Sequence, residues 1–478
     1  MTAVVTGIDA LQYFIPEFIL GITGFAILAA GMFGSSRKVN ASITFVSLAA
    51  SFVYTLTMFN HPVYVLSSTF LLDNFGLYFM LLFLAAGMLI TFPAIINISA
   101  KSEIFFSLLL FTTVGMIIAA SSSNLIVLFV SFEAVSTGTY VMTAFHKTER
   151  TLEASTKYFF TGAVSTSIIV LGISYFYEAT GTFYLSPSPA IISSGAMLVS
   201  LILLVIGFGF KLAIFPMHQW AIDTYDGSEN SVSAFLSTGS KLVAFMIMLR
   251  VFVSGFYGDA NDFYIIFTLL AIVTMTYGNF SALSETNLKS LLAYSSVAQA
   301  GYLILVFSAA GYAIGISDTN LMEYAVAAGM IYSLVYIFMK GGAFLAMNLS
   351  STKKVDVSDL SGLNKKSPAA ALSLSILLLS LAGIPFTGGF LGKFFLFLAL
   401  IEVKLWWLAV IAILNSAVSV FYYLRVILVM YRGEPSENIK VSSLGVIPLV
   451  VCAAAVIILG VYFALFSTVL GFVGGLFR

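Results

Sequence analysis

The chain has 478 residues, 60% of them hydrophobic and only 9% charged, where a soluble domain carries about 25% charged residues. That balance excludes a soluble globular protein, and a net charge of zero argues against a nucleic-acid partner. A single cysteine, Cys452, excludes a disulfide framework, a thiolate zinc site or an iron–sulfur cluster held by this chain.

Apolar runs of about 20 residues, each long enough to cross a bilayer, recur along the whole chain. The first, Leu11–Phe33, has no basic segment before it and no small-residue cleavage site after it, so it reads as a retained span. Fourteen spans are predicted, at 11–33, 41–59, 75–98, 104–121, 123–145, 156–177, 192–215, 231–250, 262–283, 289–310, 324–349, 369–401 with an interruption, 405–430 and 445–474. Unpaired backbone groups are not tolerated in lipid, so the spans are helices. The fold class expected is an all-α polytopic membrane protein, and no strand is expected.

Two spans are interrupted. In VIGFGFKLAIFPMHQW (Val205–Trp220), Pro216 follows Lys211 by five residues, and His218 lies just beyond. In SLAGIPFTGGFLGKFF (Ser380–Phe395), Pro385, Gly388 and Gly389 break the run just before Lys393. A helix breaker beside an internal lysine, twice and about five spans apart, predicts two inverted repeats of five helices. The expected organisation is a three-helix segment at 1–103, repeats at 104–255 and 256–432, and a last helix at 433–478.

The basic residues test the count of spans. Loops on one side, with the span ends that border them, hold Arg37, Lys38, Lys101, Lys147, Arg150, Lys157, Lys289, Lys353, Lys354, Lys365, Lys366, Arg425, Arg432 and Lys440. The side of the termini holds Arg250, Lys404 and Arg478. The excess places the basic loops in the cytoplasm and both termini outside the cell membrane. Of the 21 Lys and Arg residues, fourteen plus three are then claimed by loops and bordering span ends, and four remain inside spans: Lys211, Lys241, Lys340 and Lys393. Glu133 is likewise internal, and Glu17 lies near the start of the first span, within reach of the interface.

Charges inside a bilayer are expensive and mark ion or proton paths. The plainer reading of each is an ion pair or a side chain reaching for the interface. A lysine removed from water gives up its proton more readily, and a carboxylate close by holds the proton on, so a Glu133–lysine pair has the makings of a switch. Ser131, Ser136, Thr137 and Tyr140 accompany Glu133. Ser233, Ser237, Thr238 and Ser240 precede Lys241, and Tyr294, Ser295, Ser296 and Gln299 fall in one later span. Each is either part of a hydrated path or an ordinary interhelical hydrogen bond. His218 is a candidate proton relay, whereas His61 and His146 are too far off in sequence to complete a metal site with it. Asp223, Asp226 and Glu229 read as a solvated loop, with a feed of protons from the cytoplasm as the alternative role.

These motifs resemble the antiporter-like membrane subunits of the respiratory complex I family, shared with multisubunit cation/proton antiporters, and the N type most closely. The resemblance rests on SFEAVSTGTYVM around Glu133, Glu153–Thr182, GFGFKLAIFPMHQWAIDTYDGS from Gly207, SAFLSTGSKLVAFMIMLR to Arg250, Gly278–Tyr302 and Ser380–Phe394. PEF at Pro16 and LLDNFG around Asp73 match more loosely. The resemblance implies that Glu133 tunes the channel lysine Lys211, that Lys241 is the bridging lysine, and that Lys393 lies near the exit. It matches Lys340 to a lysine of the wider family. Gln299 stands where many relatives carry histidine, so no histidine relay is carried over there. The implied function is proton translocation in a redox-driven pump of the NADH:quinone or F420H2 dehydrogenase type. This chain would hold no cofactor. Flavin and iron–sulfur clusters would sit in partner subunits, beside other antiporter-like and small helical membrane subunits. The alternatives are a Na+(K+)/H+ antiporter subunit and a structural subunit whose buried ions only fix helix packing.

Overall fold

Among the described residues, the computed structural model has thirteen helices long and apolar enough to cross a membrane. The structure describes residues 3–98, 101–185, 192–350 and 355–474. In chain order these are α1 (Gly7–Gly31), α2 (Arg37–Thr57), α3 (Asn74–Asn97), α4 (Ser102–Ser121), α5 (Leu125–Thr143), α6 (Glu149–Thr180) and α7 (Ser194–Leu212). A short α8 (Gln219–Gly227) leads to α9 (Asn230–Gly255), α10 (Tyr257–Ser284), α11 (Leu288–Gly315) and α12 (Thr319–Leu349). Two shorter helices, α13 (Pro368–Ala382) and α14 (Gly388–Glu402), together fill the interrupted span. The chain then runs through α15 (Trp406–Tyr431), α16 (Ser443–Val461) and a short α17 (Leu465–Val473). The thirteen long helices and the α13–α14 pair account for the fourteen predicted spans.

Local chemistry sets the ends. Side-chain oxygens of Asp73, Asn124, Thr148, Asn287, Asp318, Ser367 and Ser442 accept from the first-turn amides of the helices they precede. Each thereby satisfies a donor that the helix leaves open. Gly181 and Gly383 end α6 and α13 in the left-handed conformation, which costs glycine nothing. Arg425 donates to the carbonyls of Leu283 and Glu285 at the end of α10, where a cation is favoured.

Three expectations are corrected. Ala3–Val5, Val63–Val65 and Phe70–Leu72 (β1–β3) form a small sheet, β1 parallel and β3 antiparallel to β2. Alternation over three residues is too short to be read from sequence. The last span divides at Tyr462 into α16 and α17. The acidic stretch 221–230 is not a loop: Asp223 and Asp226 lie on α8, and Glu229 caps α9 by accepting from the Ser231 amide.

Contacts divide the chain into two units. The first holds Met1–Leu212 and Gly239–Phe263, together with the last residues from Gly471. In it α1 packs on α2 and α4, α4 on α5, α6 on α7, and the Lys241 segment of α9 on α7. The second holds Ala213–Thr238 and Tyr264–Leu470. In it α12 is central, packed on α11, α13, α14 and α16. Among the basic residues assigned to loops, Lys353, Lys354 and Arg478 lie outside the described residues.

Candidate functional site

Both interruptions are present, and each is built from its own residues. α7 stops at Leu212, after which Ala213 takes a positive φ of 60° and the Phe215–Pro216 peptide is cis. The Phe215 amide, which no helix satisfies, donates to Thr274 Oγ1 at 3.1 Å. At the second break, Gly383 has φ 88° and Phe386 φ 66°. The Gly389 amide donates to Ser380 Oγ at 2.9 Å. A Cβ on Gly389 would lie 1.8 Å from the Ser380 carbonyl oxygen, so only glycine allows α14 to start so close to α13.

In the first unit Lys211 is 1% exposed. Its ammonium donates to the Tyr158 hydroxyl, to Thr139 Oγ1 at 3.2 Å and to Ser136 Oγ at 3.3 Å. It also lies 4.8 Å from the Tyr158 ring centroid and 5.4 Å from that of Tyr140, a favourable placement for a cation. The Glu133 carboxylate stands one turn before Ser136 on α5, is half-buried, and accepts from Thr166 Oγ1 at 2.8 Å. Glu133 and Lys211 lie in each other's electrostatic field, with hydroxyls and not a direct ion pair holding the ammonium. Tyr158 also makes a polar contact with Ser240, the residue before Lys241. Lys241 is fully buried and begins the α-helical stretch between two π-helical stretches of α9, Leu236–Ser240 and Leu249–Gly255. Such π segments recur at functional sites.

The other predicted polar residues divide. Ser136 reaches Lys211, and Ser131 donates to its own helix at Val127. Thr137 is exposed. Ser237 and Thr238 both donate to the Ala234 carbonyl of their own helix, not across to another.

Glu17, near the start of the α-helical part of α1, is buried at 8% exposed, and one charge is corrected in this unit. Arg250, counted with the loops and span ends of the terminal side, is 2% exposed and forms a two-pronged pair with the fully buried Asp73, at 2.8 and 3.1 Å. Its Nη2 also donates to the Ala120 carbonyl at 3.0 Å. Loop accounting misses this pair because both residues sit at span ends, where sequence does not separate a solvated charge from a buried one.

In the second unit His218 is 2% exposed and packs on Tyr277, with ring centroids 4.4 Å apart. Tyr277 in turn meets Tyr294. Lys289, counted with the basic loops and their bordering span ends, is buried and donates to the Ser228 carbonyl at 2.7 Å. Lys340 is fully buried and donates to the Leu292 carbonyl at 2.6 Å and Ser295 Oγ at 2.8 Å. Ser295 is bonded to Tyr423, and Ser296 to Tyr336 at 3.0 Å. Lys393 donates to the carbonyls of Leu381 and Ala382 at 2.9 and 3.2 Å and to Ser416 Oγ at 2.9 Å. The first two are the carbonyls that the break leaves open at the end of α13, so Pro385 serves the lysine by ending that helix. Gln299 accepts from Tyr332 and donates to the Leu381 carbonyl at 3.2 Å.

Tyr158, Thr166, Asn279, Tyr302, Ser416 and Tyr423 join these sites and are not singled out by sequence. Hydroxyls and amides are common glue in helical bundles, so only proximity to a lysine distinguishes them.

A polytopic helical protein with two broken membrane helices, each ending beside a buried lysine, is a membrane protein built to handle charge inside the bilayer. The chain belongs to the family described as NADH:quinone oxidoreductase/Mrp antiporter, transmembrane, whose sequence model matches residues 122–419. It is 38% identical to F(420)H(2) dehydrogenase subunit N of Methanosarcina mazei, over 95% of this chain and 96% of that one. It is 35% identical to NADH-quinone oxidoreductase subunit N of Trichlorobacter lovleyi, over 94% of both. A chain of respiratory complex I from Thermus thermophilus, solved with bound aureothin, superposes with a TM-score of 0.81 at 28% identity, covering 94% of this chain and 97% of that one.

Proposed function

We infer that the chain is the N-type, proton-translocating membrane subunit of a complex I-like redox pump. The observation that carries this is Lys211: a buried ammonium held by three hydroxyls, with the Glu133 carboxylate in electrostatic range but not bonded to it. A permanent ion pair would fix the charge. Hydroxyls solvate either protonation state, because each both donates and accepts. Movement of Glu133 relative to Lys211 then changes how strongly the lysine holds its proton. Tyr158, touching both Lys211 and Ser240, links this site to the start of the Lys241 segment.

The buried lysines of the second unit, Lys340 and Lys393, take part in the same transfer, and His218 with Tyr294 serves as their polar approach. Electron transfer takes place in partner subunits carrying flavin and iron–sulfur clusters, and reaches this chain as a change of charge or helix position. Neighbouring antiporter-like and small helical membrane subunits would complete the assembly. The excess of basic residues in one set of loops supports placing both termini outside the cell membrane. The helix pairs broken at Pro216 and Pro385 support the inverted-repeat organisation.

The test is replacement of Glu133 or Lys241 by alanine in the assembled complex. Coupled turnover is expected to fall in both while the complex persists on native gels. Normal coupled activity in both variants contradicts the reading. Transport that requires added Na+ or K+ in the wild type favours antiport instead.

A further inference from the structure

Lys340 and Lys393 stand at opposite ends of one polar network in the second unit. From Lys340 the hydroxyls run through Ser295 to Tyr423, which touches Tyr422 and Gln299. From Lys393 they run to Ser416, which touches Tyr302, and the Tyr302 ring lies 4.6 Å from the ammonium. Among the described residues, two side-chain amides, Asn279 and Gln299, cross between these halves by hydrogen bonds. Tyr422 donates to Asn279 Oδ1 at 3.0 Å, and Asn279 Nδ2 donates to the Tyr302 hydroxyl at 3.3 Å. Gln299 Oε1 accepts from Tyr332, and Gln299 Nε2 donates to the Leu381 carbonyl at 3.2 Å, the same oxygen that accepts from Lys393.

The type of group decides what such a crossing does. A hydroxyl accepts a proton on a lone pair and releases its own in the same step. An amide accepts on oxygen and donates from nitrogen, two different atoms. It relays a proton only by rearranging to its imidic acid form, an unfavourable tautomer. Asn279 turns its oxygen to Tyr422 and its nitrogen to Tyr302, and Gln299 turns its oxygen to Tyr332 and its nitrogen to the Leu381 carbonyl. The network is therefore continuous in hydrogen bonds and interrupted for protons. Asn279 is fully buried and is further tied to Asn415 Oδ1 at 3.4 Å, which holds the amide in this orientation.

We propose that Asn279 and Gln299 form an insulating gate that keeps protons from passing between Lys340 and Lys393 at rest. This rests on the proton-translocation reading above. Passage requires that the amides swing aside or that water enters beside them, so transfer waits for the driven conformational step and the gradient does not leak back through the chain.

The purified complex in sealed liposomes tests this with electron transfer idle, by following the decay of an imposed pH gradient. The wild-type complex is expected to hold the gradient. Asn279→Asp and Gln299→Glu each place a protonatable oxygen at a crossing and are expected to speed the decay several-fold. Adding Lys340→Ala to Asn279→Asp is expected to return it to the wild-type rate. A wild-type complex that leaks overturns the proposal, whether or not the variants assemble. So does either acid variant that assembles and decays at the wild-type rate. Idle decay needs no pumping, so a failure here is separate from a failure of the Glu133 and Lys241 test.

Discussion

Tyr158 holds the shared position of the first unit, and its hydroxyl is what the Lys211 ammonium touches along with Thr139 and Ser136. Tyr158→Phe keeps the ring under the cation and deletes only the hydroxyl. A hydrogen bond to a charged group is worth roughly 1.5–3 kcal/mol, and about 1.4 kcal/mol corresponds to tenfold in rate. Coupled turnover in Tyr158→Phe is therefore expected to fall about tenfold or more, with the complex assembled. Wild-type turnover would show that the hydroxyl has no part in transfer. The Asp73–Arg250 pair has a different role. It ties the end of α9 to the start of α3 and, through the Ala120 carbonyl, to the end of α4. Removing one partner of a buried pair leaves a stranded charge and costs about 3–5 kcal/mol. Arg250→Met is expected to lower the midpoint of thermal dissociation of the complex sharply, and the double change with Asp73→Asn to recover part of it. Equal midpoints for wild type and Arg250→Met contradict a structural pair.

At the scale of the helix, the breaks are where sequence is most informative. Pro216 and Pro385 remove an amide that an α-helix needs, and a lysine in the same apolar run marks the site. The structure adds the reason for glycine at 389, the contact with the Ser380 carbonyl. Gly→Ala in an ordinary helix gains about 1 kcal/mol. Gly389→Ala is expected to do the reverse, destabilising the complex in a thermal shift assay, and a gain in midpoint would show that the two helices are not in tight contact. Other elements were hidden from sequence for physical reasons. The two π-helical stretches of α9 leave no mark on hydrophobicity because that helix is buried on all sides. A fully buried helix also explains why Arg250 passed for a residue of the loops and span ends: no polar face was available for comparison. The reach of α6, 32 residues with its cap at Thr148, exceeds its apolar core because its first turns are polar.

At the scale of the whole molecule, the four lysines left after loop accounting are all buried, two in each unit. The same accounting missed Lys289, whose ammonium is satisfied by the Ser228 carbonyl. Residue type and span position thus located the cations, while their partners depended on which helices meet. Glu133 and Lys211 share the first unit as expected, but through hydroxyls. The central claim is that Lys211 carries protons during turnover. The direct measurement is the number of protons taken up per electron transferred in membrane vesicles bearing the Lys211→Ala complex, with donor oxidation and proton uptake followed together. The ratio is expected to fall below wild type while the assembled complex still reaches its partners. An unchanged ratio at wild-type turnover would contradict the account and leave Lys211 a packing residue.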